Sequence, residues 1–248
     1  MMRVLTERML YFSSYADRYG HWKPGELMTA MQEMAGRHSL MLGCGREDLL
    51  KQDVIWVLAR NEVDIYRMPQ VNDVIVCTTY PGPARRTLYP RYHQFSLEDG
   101  TLLASGVGGW TLANIHTQRM ADVPDIARNM PDTSDLPRPV PFPRAVEHVE
   151  GEEIRREMAL RYTDIDVNQH VNNTRCADWA CDLLGADVLR EQPITRFVAN
   201  YKQQILPTGP VTLTLRRAGS RFSMTCERDG ELLLDCGGTL GPADRAEA

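Results

Sequence analysis

Residues 162–173 read YTDIDVNQHVNN, and a shorter string of the same kind, YADRYGH, occupies residues 15–21. A segment with helical spacing of apolar residues follows each string. The first segment starts at Pro24, which suits a first helical turn, and glycines at 43 and 45 stop it. The second starts near Asn172, a good N-cap, and ends at Gly185. An internal repeat of this kind is typical of a duplicated fold, and it decides the fold class here.

Runs with strand character follow both predicted helices. They cover residues 55–68, 71–80, 88–97 and 102–112 in the first half, and residues 195–206, 211–216, 221–227 and 232–239 in the second. The run at 211–216 alternates apolar and polar residues, the pattern of a half-buried strand. Asp-Gly pairs at 99–100 and 229–230 separate the last two runs of each half, where a hairpin turn favours positive φ. Each half is therefore predicted to be one long helix followed by an antiparallel meander.

A proline-rich stretch separates the two halves. Residues 123–143 read VPDIARNMPDTSDLPRPVPFP, with six prolines and neither helical nor strand periodicity. This composition is typical of an exposed, semi-rigid linker. We predict an N-terminal domain at residues 1–122, a linker at 123–150 and a C-terminal domain at 151–242.

Composition and charge argue against several functional classes. The formal net charge is -5, which gives no indication of nucleic acid or an anionic membrane as a partner. No apolar run approaches the roughly 20 residues of a membrane helix, and residues 1–8 lack the apolar region of a signal peptide. The cysteines at 44, 77, 176, 181, 226 and 236 form no C-x-x-C pair. We therefore expect no metal site, no cofactor, no disulfide framework and a cytoplasmic location.

The string at 162–173 places two carboxylates, an amide and an imidazole within seven residues, directly before a helix. A helix N-terminus offers unpaired N–H groups that stabilise an oxygen atom as it gains negative charge. An imidazole beside a carboxylate can position or deprotonate a water molecule. A polar turn in which Asp164 and Asn172 only cap the backbone would explain each residue singly. It does not explain all of them together, so we expect a hydrolytic site.

The string DIDVNQHVNN closely resembles the signature of the acyl-ACP thioesterases, the family of the plant plastidial enzymes and their bacterial relatives. The resemblance covers nearly the whole chain, with individually weak matches at residues 20–24, 32–35, 56–60, 67–69 and 105–112. It implies an α+β fold of two hotdog domains in tandem, in which an antiparallel sheet wraps each long helix and the two sheets join into one layer. It also implies that the first half shapes an acyl-chain pocket and the second half holds the catalytic residues.

By matching positions, the resemblance implies catalytic roles for Asp166, Asn168 and His170. His170 and Asn168 would hold the thioester carbonyl and the water, and Asp166 would orient them. Gln204 stands where the family has a glutamate, and an amide cannot act as a general base. Either Asp166 or His170 then activates the water, or hydrolysis is slow, or the protein only binds acyl chains. The internal repeat aligns Tyr15-Ala-Asp17 with Tyr162-Thr-Asp164, and the first half has Arg18-Tyr19 where the second has the extra Asp and Asn. His21, in the first-half string, is expected to be a structural relic.

The implied activity is hydrolysis of fatty acyl-ACP thioesters, which releases free fatty acid and ends chain elongation. The implied partner is acyl carrier protein with a 4'-phosphopantetheine-linked acyl chain. Two alternatives stay open: a hotdog thioesterase acting on acyl-CoA, and a non-catalytic acyl-chain or carrier-binding protein. The sequence leaves both a monomer and a homodimer possible.

Because acyl carrier protein is acidic, we expect a basic docking face on this chain. The candidates for it are Arg85, Arg86, Arg91, Lys202, Arg216 and Arg217. The length of the acyl chain is left open, and the methionines at 28, 31, 34 and 41 are candidates to line an adaptable pocket.

Overall fold

The computed structural model describes residues 2–143 and 145–242; Met1 and Arg144, which fall in the predicted first domain and linker, lie outside these ranges, as do residues 243–248. The helices are α1 (Pro24–Met41), α2 (Arg46–Leu50), α3 (Pro124–Asn129), α4 (Arg175–Leu184) and α5 (Ala186–Glu191). The strands are β1 (Leu5–Leu10), β2 (Val54–Ile65), β3 (Val74–Pro81), β4 (Tyr89–Leu97), β5 (Leu102–Asn114), β6 (Glu152–Met158), β7 (Ile194–Tyr201), β8 (Val211–Ala218), β9 (Arg221–Arg228) and β10 (Glu231–Leu240).

These strands form one antiparallel sheet in the order β1-β3-β4-β5-β2-β7-β10-β9-β8-β6. The two halves meet where β2 pairs with β7, from Arg60 opposite Asn200 to Asp64 opposite Arg196. Helix α1 packs on β3, α4 packs on β8 and β10, and the two helices contact each other. One apolar core therefore runs through both halves, and it includes Met31 of α1. The predicted tandem hotdog is confirmed. We call the face of the sheet towards α1 and α4 the inner face, and the opposite one the outer face.

The predicted order of strands is wrong at one point in each half. Strand β2 lies beside β5 and not beside β3, and β7 lies beside β10 and not beside β8, so only the last three strands of each half form a meander. Alternation of apolar residues determines which face of a strand is buried, but it does not select the neighbouring strand. The consequence is that β2 and β7 become the centre of the sheet and join the two halves.

Strands β1 and β6, at the two edges of the sheet, were not predicted. Strand β6 reads EEIRREM, and none of its residues is fully buried. An edge strand with charged, solvated residues carries little apolar periodicity, which is also how proteins keep a free edge from pairing with other chains. The sequence pattern is therefore weakest where the sheet ends.

Helix α4 begins at Arg175, later than predicted. Asn172 does not cap the helix; its Oδ1 atom accepts hydrogen bonds of 2.9 Å from both the N–H and the hydroxyl of Thr174. This side-chain turn holds the chain just ahead of the helix. None of the described helices combines the length and apolar character needed to cross a bilayer.

The predicted linker is neither free of helix nor exposed throughout. It contains the short α3, with Pro124 in the first turn. Further on it packs on the outer face of the sheet, where Val140 is fully buried beside Tyr92 and Val107. The Tyr80 hydroxyl donates a 2.7 Å hydrogen bond to the carbonyl of Pro137. The linker therefore covers a face that would otherwise expose apolar side chains.

Candidate active site

A cavity of about 1110 Å³ lies between α1, the inner face of the first-half strands and the turn that contains the sequence motif. One face of α1 lines it, and Trp56, Tyr89 and Trp110 form an aromatic wall. The four predicted catalytic residues, Asp166, Asn168, His170 and Gln204, all line this cavity. The structure therefore brings the side chains of the motif and of the segment after β7 to one site.

The turn at 166–170 is closed by its own backbone. The N–H of Asp166 donates to the carbonyl of His170 at 3.0 Å, and the N–H of Gln169 donates to the carbonyl of Asp166 at 3.0 Å. Asp166 Oδ1 also accepts a 2.8 Å hydrogen bond from the N–H of Asn168. Gln169 has φ of 64°, the left-handed conformation that such a tight reversal needs. The turn presents Asp166 and His170 side by side and leaves Asn168 exposed at the edge of the cavity.

The hydrogen bonds of His170 determine its tautomer. Its Nδ1 atom lies 3.1 Å from the carbonyl oxygen of Val171 and 3.8 Å from Asp166 Oδ1. A carbonyl oxygen can only accept, so Nδ1 carries the proton and Nε2 keeps a free lone pair. With only 17% of its side chain exposed, His170 is held in place as a potential proton acceptor.

Gln204 reaches the site because the chain bends after β7. The N–H groups of Lys202 and Gln203 both donate to the carbonyl of Leu233, at 2.9 and 3.1 Å. This shared acceptor ends the strand pairing and turns the next residues towards the cavity, which Gln204 lines. The side chain there is a neutral amide, which can hold a water molecule but cannot take its proton.

The first-half string folds like the second, in a register that the sequence alignment missed. The N–H of Asp17 donates to the carbonyl of His21 at 2.8 Å, and Asp17 Oδ1 accepts a 2.8 Å hydrogen bond from the N–H of Tyr19. Asp17 is thus the counterpart of Asp166, whereas the alignment of the two Tyr-x-Asp triplets had paired it with Asp164. The two strings align by residue type at their Tyr-x-Asp triplets. The backbone hydrogen bonds show instead which residues are structurally equivalent.

The first half therefore keeps both a carboxylate and an imidazole. His21 Nδ1 lies 3.3 Å from Asp17 Oδ2, and Tyr19 takes the position of Asn168. Neither Asp17 nor His21 is among the residues that line the cavity. The second-half site differs from its counterpart in two respects: it has the amide of Asn168, and it lines the cavity.

The basic residues proposed for carrier docking lie in different environments. Arg85 and Arg86 are exposed in the β3–β4 loop, next to residues 82–84 that line the cavity. Arg85 lies over the Phe142 ring, 5.3 Å from its centroid. Lys202 also lines the cavity, is 42% exposed and lies 3.7 Å from Asp235 Oδ1.

Three further arginines do not belong to that surface. Arg216 and Arg217 form ion pairs with Glu153 and Glu152 of β6, at the far end of the sheet. Arg91 is only 5% exposed, so it cannot contact a carrier protein, and its assignment to a docking face is wrong. Strand β4 is buried on both faces, by α1 on one side and by the linker on the other, and local sequence does not reveal such a double burial.

The pocket is lined by aromatic residues and not by the methionines proposed for it. Met28, Met31 and Met34 are buried in the main core, and Met41 is 54% exposed. The aromatic wall of Trp56, Tyr89 and Trp110 was missed as a functional group. Its only sequence indication was the concentration of aromatic residues in predicted strands.

No group of three or more His, Cys, Asp or Glu residues in the described ranges could hold a metal ion. The six cysteines are all free.

Comparison with known protein families gives two matches. The model of the acyl-ACP thioesterase N-terminal domain matches residues 4–130, and that of the acyl-ACP thioesterase C-terminal domain matches residues 147–231. A chloroplastic palmitoyl-acyl carrier protein thioesterase of Cuphea hookeriana is 26% identical over 194 residues, covering 72% of this chain and 46% of that protein. A chloroplastic dodecanoyl-[acyl-carrier-protein] hydrolase of Cinnamomum camphora is 23% identical over 218 residues, covering 81% and 56%. The chain spans about half the length of these curated relatives.

Solved structures share the whole fold. An acyl-ACP thioesterase from Bacteroides thetaiotaomicron superposes with a TM-score of 0.84 at 20% identity, covering 96% of this chain and 98% of the other. A 12:0-ACP thioesterase from Umbellularia californica also gives 0.84, at 19% identity and 98% coverage of both chains. At these identities the likeness shows the fold, the tandem hotdog. Since the two domain models together match most of its length, the chain belongs to the acyl-ACP thioesterase family.

Proposed function

We propose that this protein hydrolyses fatty acyl-ACP thioesters, releasing free fatty acid and ending chain elongation. The proposal rests on one observation: the Asp166–His170 pair lines a cavity of about 1110 Å³ that also has an aromatic wall. An acyl chain needs an apolar cavity, and its thioester needs a proton acceptor at the cavity's polar end. The aromatic wall comes from the first half, residues 1–122, and the Asp166–His170 pair comes from the second, residues 151–242.

His170 is the general base in the proposed reaction. Its free Nε2 atom accepts a proton from water as the water oxygen attacks the thioester carbonyl carbon. The resulting tetrahedral intermediate collapses by breaking the carbon–sulfur bond, and the pantetheine sulfur leaves with the proton from His170. Asp166 stabilises the imidazolium form between these two steps. Gln204 stands at the position of the family's glutamate, so in this proposal His170 takes over the role of general base.

A backbone donor is available for the oxygen that gains charge. Asn173 lines the cavity in the turn before α4, and its N–H has no acceptor among the described residues. An N–H group held by the backbone costs no reorganisation when charge develops on the thioester oxygen. The exposed amide of Asn168 supplies a second donor at the cavity edge.

The carrier is proposed to be acyl carrier protein, which docks on Arg85, Arg86 and Lys202. These residues place positive charge at the cavity, where an acidic partner would deliver its phosphopantetheine arm. We also propose a cytoplasmic location, in keeping with the free cysteines. The protein acts as a monomer or a homodimer in this proposal, since one chain already pairs two hotdog domains.

Two alternatives compete with it. Acyl-CoA could replace acyl-ACP as the substrate, because both present the same thioester. A non-catalytic acyl-chain sensor is motivated by Gln204 alone. The experiment that decides is to incubate the protein with a panel of acyl-ACPs and matched acyl-CoAs and to measure free fatty acid. Release from acyl-ACP at a higher kcat/KM supports the proposal; equal or faster release from acyl-CoA overturns the choice of carrier, and binding without release supports the sensor.

A further inference from the structure

A buried cluster of polar side chains lies between α1 and β4, and the proposed hydrolysis does not use it. Arg91 Nη1 donates a 3.0 Å hydrogen bond to His38 Nδ1, and Arg91 Nη2 lies 3.4 Å from Ser39 Oγ. Because His38 Nδ1 accepts, its Nε2 carries the proton and donates to the carbonyl of Met2 at 3.2 Å. His38 is therefore neutral, and the partners of the Arg91 guanidinium carry no negative charge.

The charge of Arg91 is uncompensated. In the described part of the chain, no carboxylate lies within ion-pair distance of its guanidinium. Burial lowers the pKa of Arg91 to about 10, which still leaves the side chain charged at neutral pH. Burial and the charge of Arg91 also lower the pKa of His38, in agreement with its neutral form. A buried charge without a counter-ion is costly, by several kcal/mol.

Arg91 borders the acyl cavity. Both Arg91 and Ser39 line it, and among the described residues the five guanidinium N–H groups have two hydrogen-bond partners, His38 and Ser39. Gly108 lies directly opposite Arg91 on β5, and the Trp110 indole of the aromatic wall occupies the space beside it. Arg91 therefore borders the cavity next to Trp110, which also lines it.

Arg91 lies far from the catalytic turn. The cross-strand row from Arg91 runs through Gly108 of β5 and Asn61 of β2 to Ala199 of β7. Three strand spacings of about 4.8 Å separate Arg91 from β7 by roughly 14 Å. Tyr201, two residues further along β7, lines the cavity at its catalytic end. An acyl chain with its thioester at the catalytic turn must therefore be long enough to span this distance to Arg91.

We propose that Arg91 binds the carboxylate of an aliphatic chain held in this cavity. Resting on the proposed function, this makes Arg91 a specificity-determining residue for acyl chains that carry a carboxylate at the end remote from the thioester. Arginine binds carboxylates through two parallel hydrogen bonds, and the anion supplies the missing counter-charge. A free fatty acid, bound with its carboxylate at Arg91, presents the same chemistry and would act as an inhibitor.

The first experiment measures binding without hydrolysis. Calorimetry compares a saturated fatty acid with the fatty alcohol of equal length on wild-type protein and on Arg91→Met. Charged hydrogen bonds of this kind make a difference of at least about tenfold, so the acid should bind that much more weakly to the variant. The alcohol should bind both proteins equally. Arg8→Met, which removes an exposed arginine at the edge of the sheet, is the matched control.

The second experiment identifies the source of the carboxylate. Dicarboxylic chains joined to acyl carrier protein through one end are compared with methyl-ended chains of equal length. A carboxylate-ended substrate is expected to give a kcat/KM at least about tenfold higher on wild type, and the preference should reverse in Arg91→Met. If only the free fatty acid depends on Arg91, the site binds an inhibitor and the substrate assignment fails. If no thioester is hydrolysed, the proposed function fails while the binding result stands.

Equal loss of acid and alcohol binding in Arg91→Met would overturn the proposal, because it would mean that Arg91 only supports the fold. Methionine has a similar length and no charge, and apolar replacement of a buried charge is often tolerated. Should the variant be insoluble, wild type and Arg91→Lys decide the matter. A preference for the acid over the alcohol in both supports the site, and equal affinities overturn it.

Discussion

At the residue scale, His170 and His21 form a natural pair of test and control. Both follow an aspartate by four positions in the same kind of turn, but only His170 lines the cavity. We expect His170→Ala to lower kcat/KM for acyl-ACP by at least about a hundredfold, the scale for losing a positioned acid–base group. His21→Ala should change activity little. Fatty acid release measures both, and circular dichroism checks the fold.

The same assay applies to Asn168. Asn168→Ala is expected to cost about a hundredfold as well, because it removes a donor near the developing oxyanion. Its side chain is exposed, so the fold should survive the change. A rate near that of the wild type in soluble His170→Ala protein would contradict the assignment of the base, and a full rate in Asn168→Ala would limit that residue to shaping the turn.

Gln204→Glu tests how the site works without the family's glutamate. The two side chains have nearly the same shape, so the carboxylate should fit where the amide lies. We expect kcat to rise, and the pH profile to gain an ascending limb as the new carboxyl group ionises. Gln204 is exposed, so that limb should lie near the ordinary pKa of a glutamate. Steady-state rates across pH measure it; a slower variant would mean that His170 acts with a water arrangement that needs the amide.

At the scale of elements, the loop between β3 and β4 is the test of carrier docking. Reversing both Arg85 and Arg86 to glutamate should raise KM for acyl-ACP and weaken its salt dependence, with kcat nearly unchanged, because the exposed charges steer the partner and do not touch the thioester. Arg155 and Arg156, exposed on the far edge strand β6, provide the matched double reversal and should have no effect.

Acyl-CoA is the substrate control for that loop. Since it lacks the acidic protein, its KM should change much less than the KM for acyl-ACP when Arg85 and Arg86 are reversed. Equal effects on both substrates would show that the loop shapes the cavity entrance and does not bind the carrier.

At the scale of the whole molecule, the junction of β2 and β7 makes one cooperative unit of the two halves. Arg196 of the second half donates two hydrogen bonds to Glu62 Oε1 of the first, at 2.9 and 2.6 Å, and Glu62 is only 3% exposed. Arg196→Met leaves that carboxylate without its cation. We expect a loss of about 1–3 kcal/mol in the free energy of unfolding, less than for a fully buried pair because Arg196 is 40% exposed.

Urea unfolding followed by tryptophan fluorescence and circular dichroism measures this loss. The control is Arg8→Met, which breaks the exposed pair with Glu98 and should cost no more than about 1 kcal/mol. Both signals should report one transition, because the sheet is continuous across the junction. Two separate transitions would contradict the cooperative unit.

The sequence by itself determined the local features of this protein. Periodicity predicted α1 and the eight strands other than β1 and β6, and the Asp-Gly pairs predicted hairpin turns that the structure has at positive φ. The spacing of Asp166, Asn168 and His170 indicated a candidate site because these residues lie within one short turn. Such features depend on residues within a few positions of each other, so they can be predicted from the sequence alone.

Only the tertiary structure decided which distant residues meet. It placed β2 beside β5 and β7, aligned Asp17 with Asp166, and enclosed Arg91 between α1 and β4. It also laid the linker on the outer face and brought Gln204 to the catalytic turn. Strand pairing and burial depend on contacts between residues far apart in the chain, and the same local pattern is compatible with several of them. The motif indicated the proposed function, but the cavity proposed to hold the acyl chain arises only from the packing of both halves.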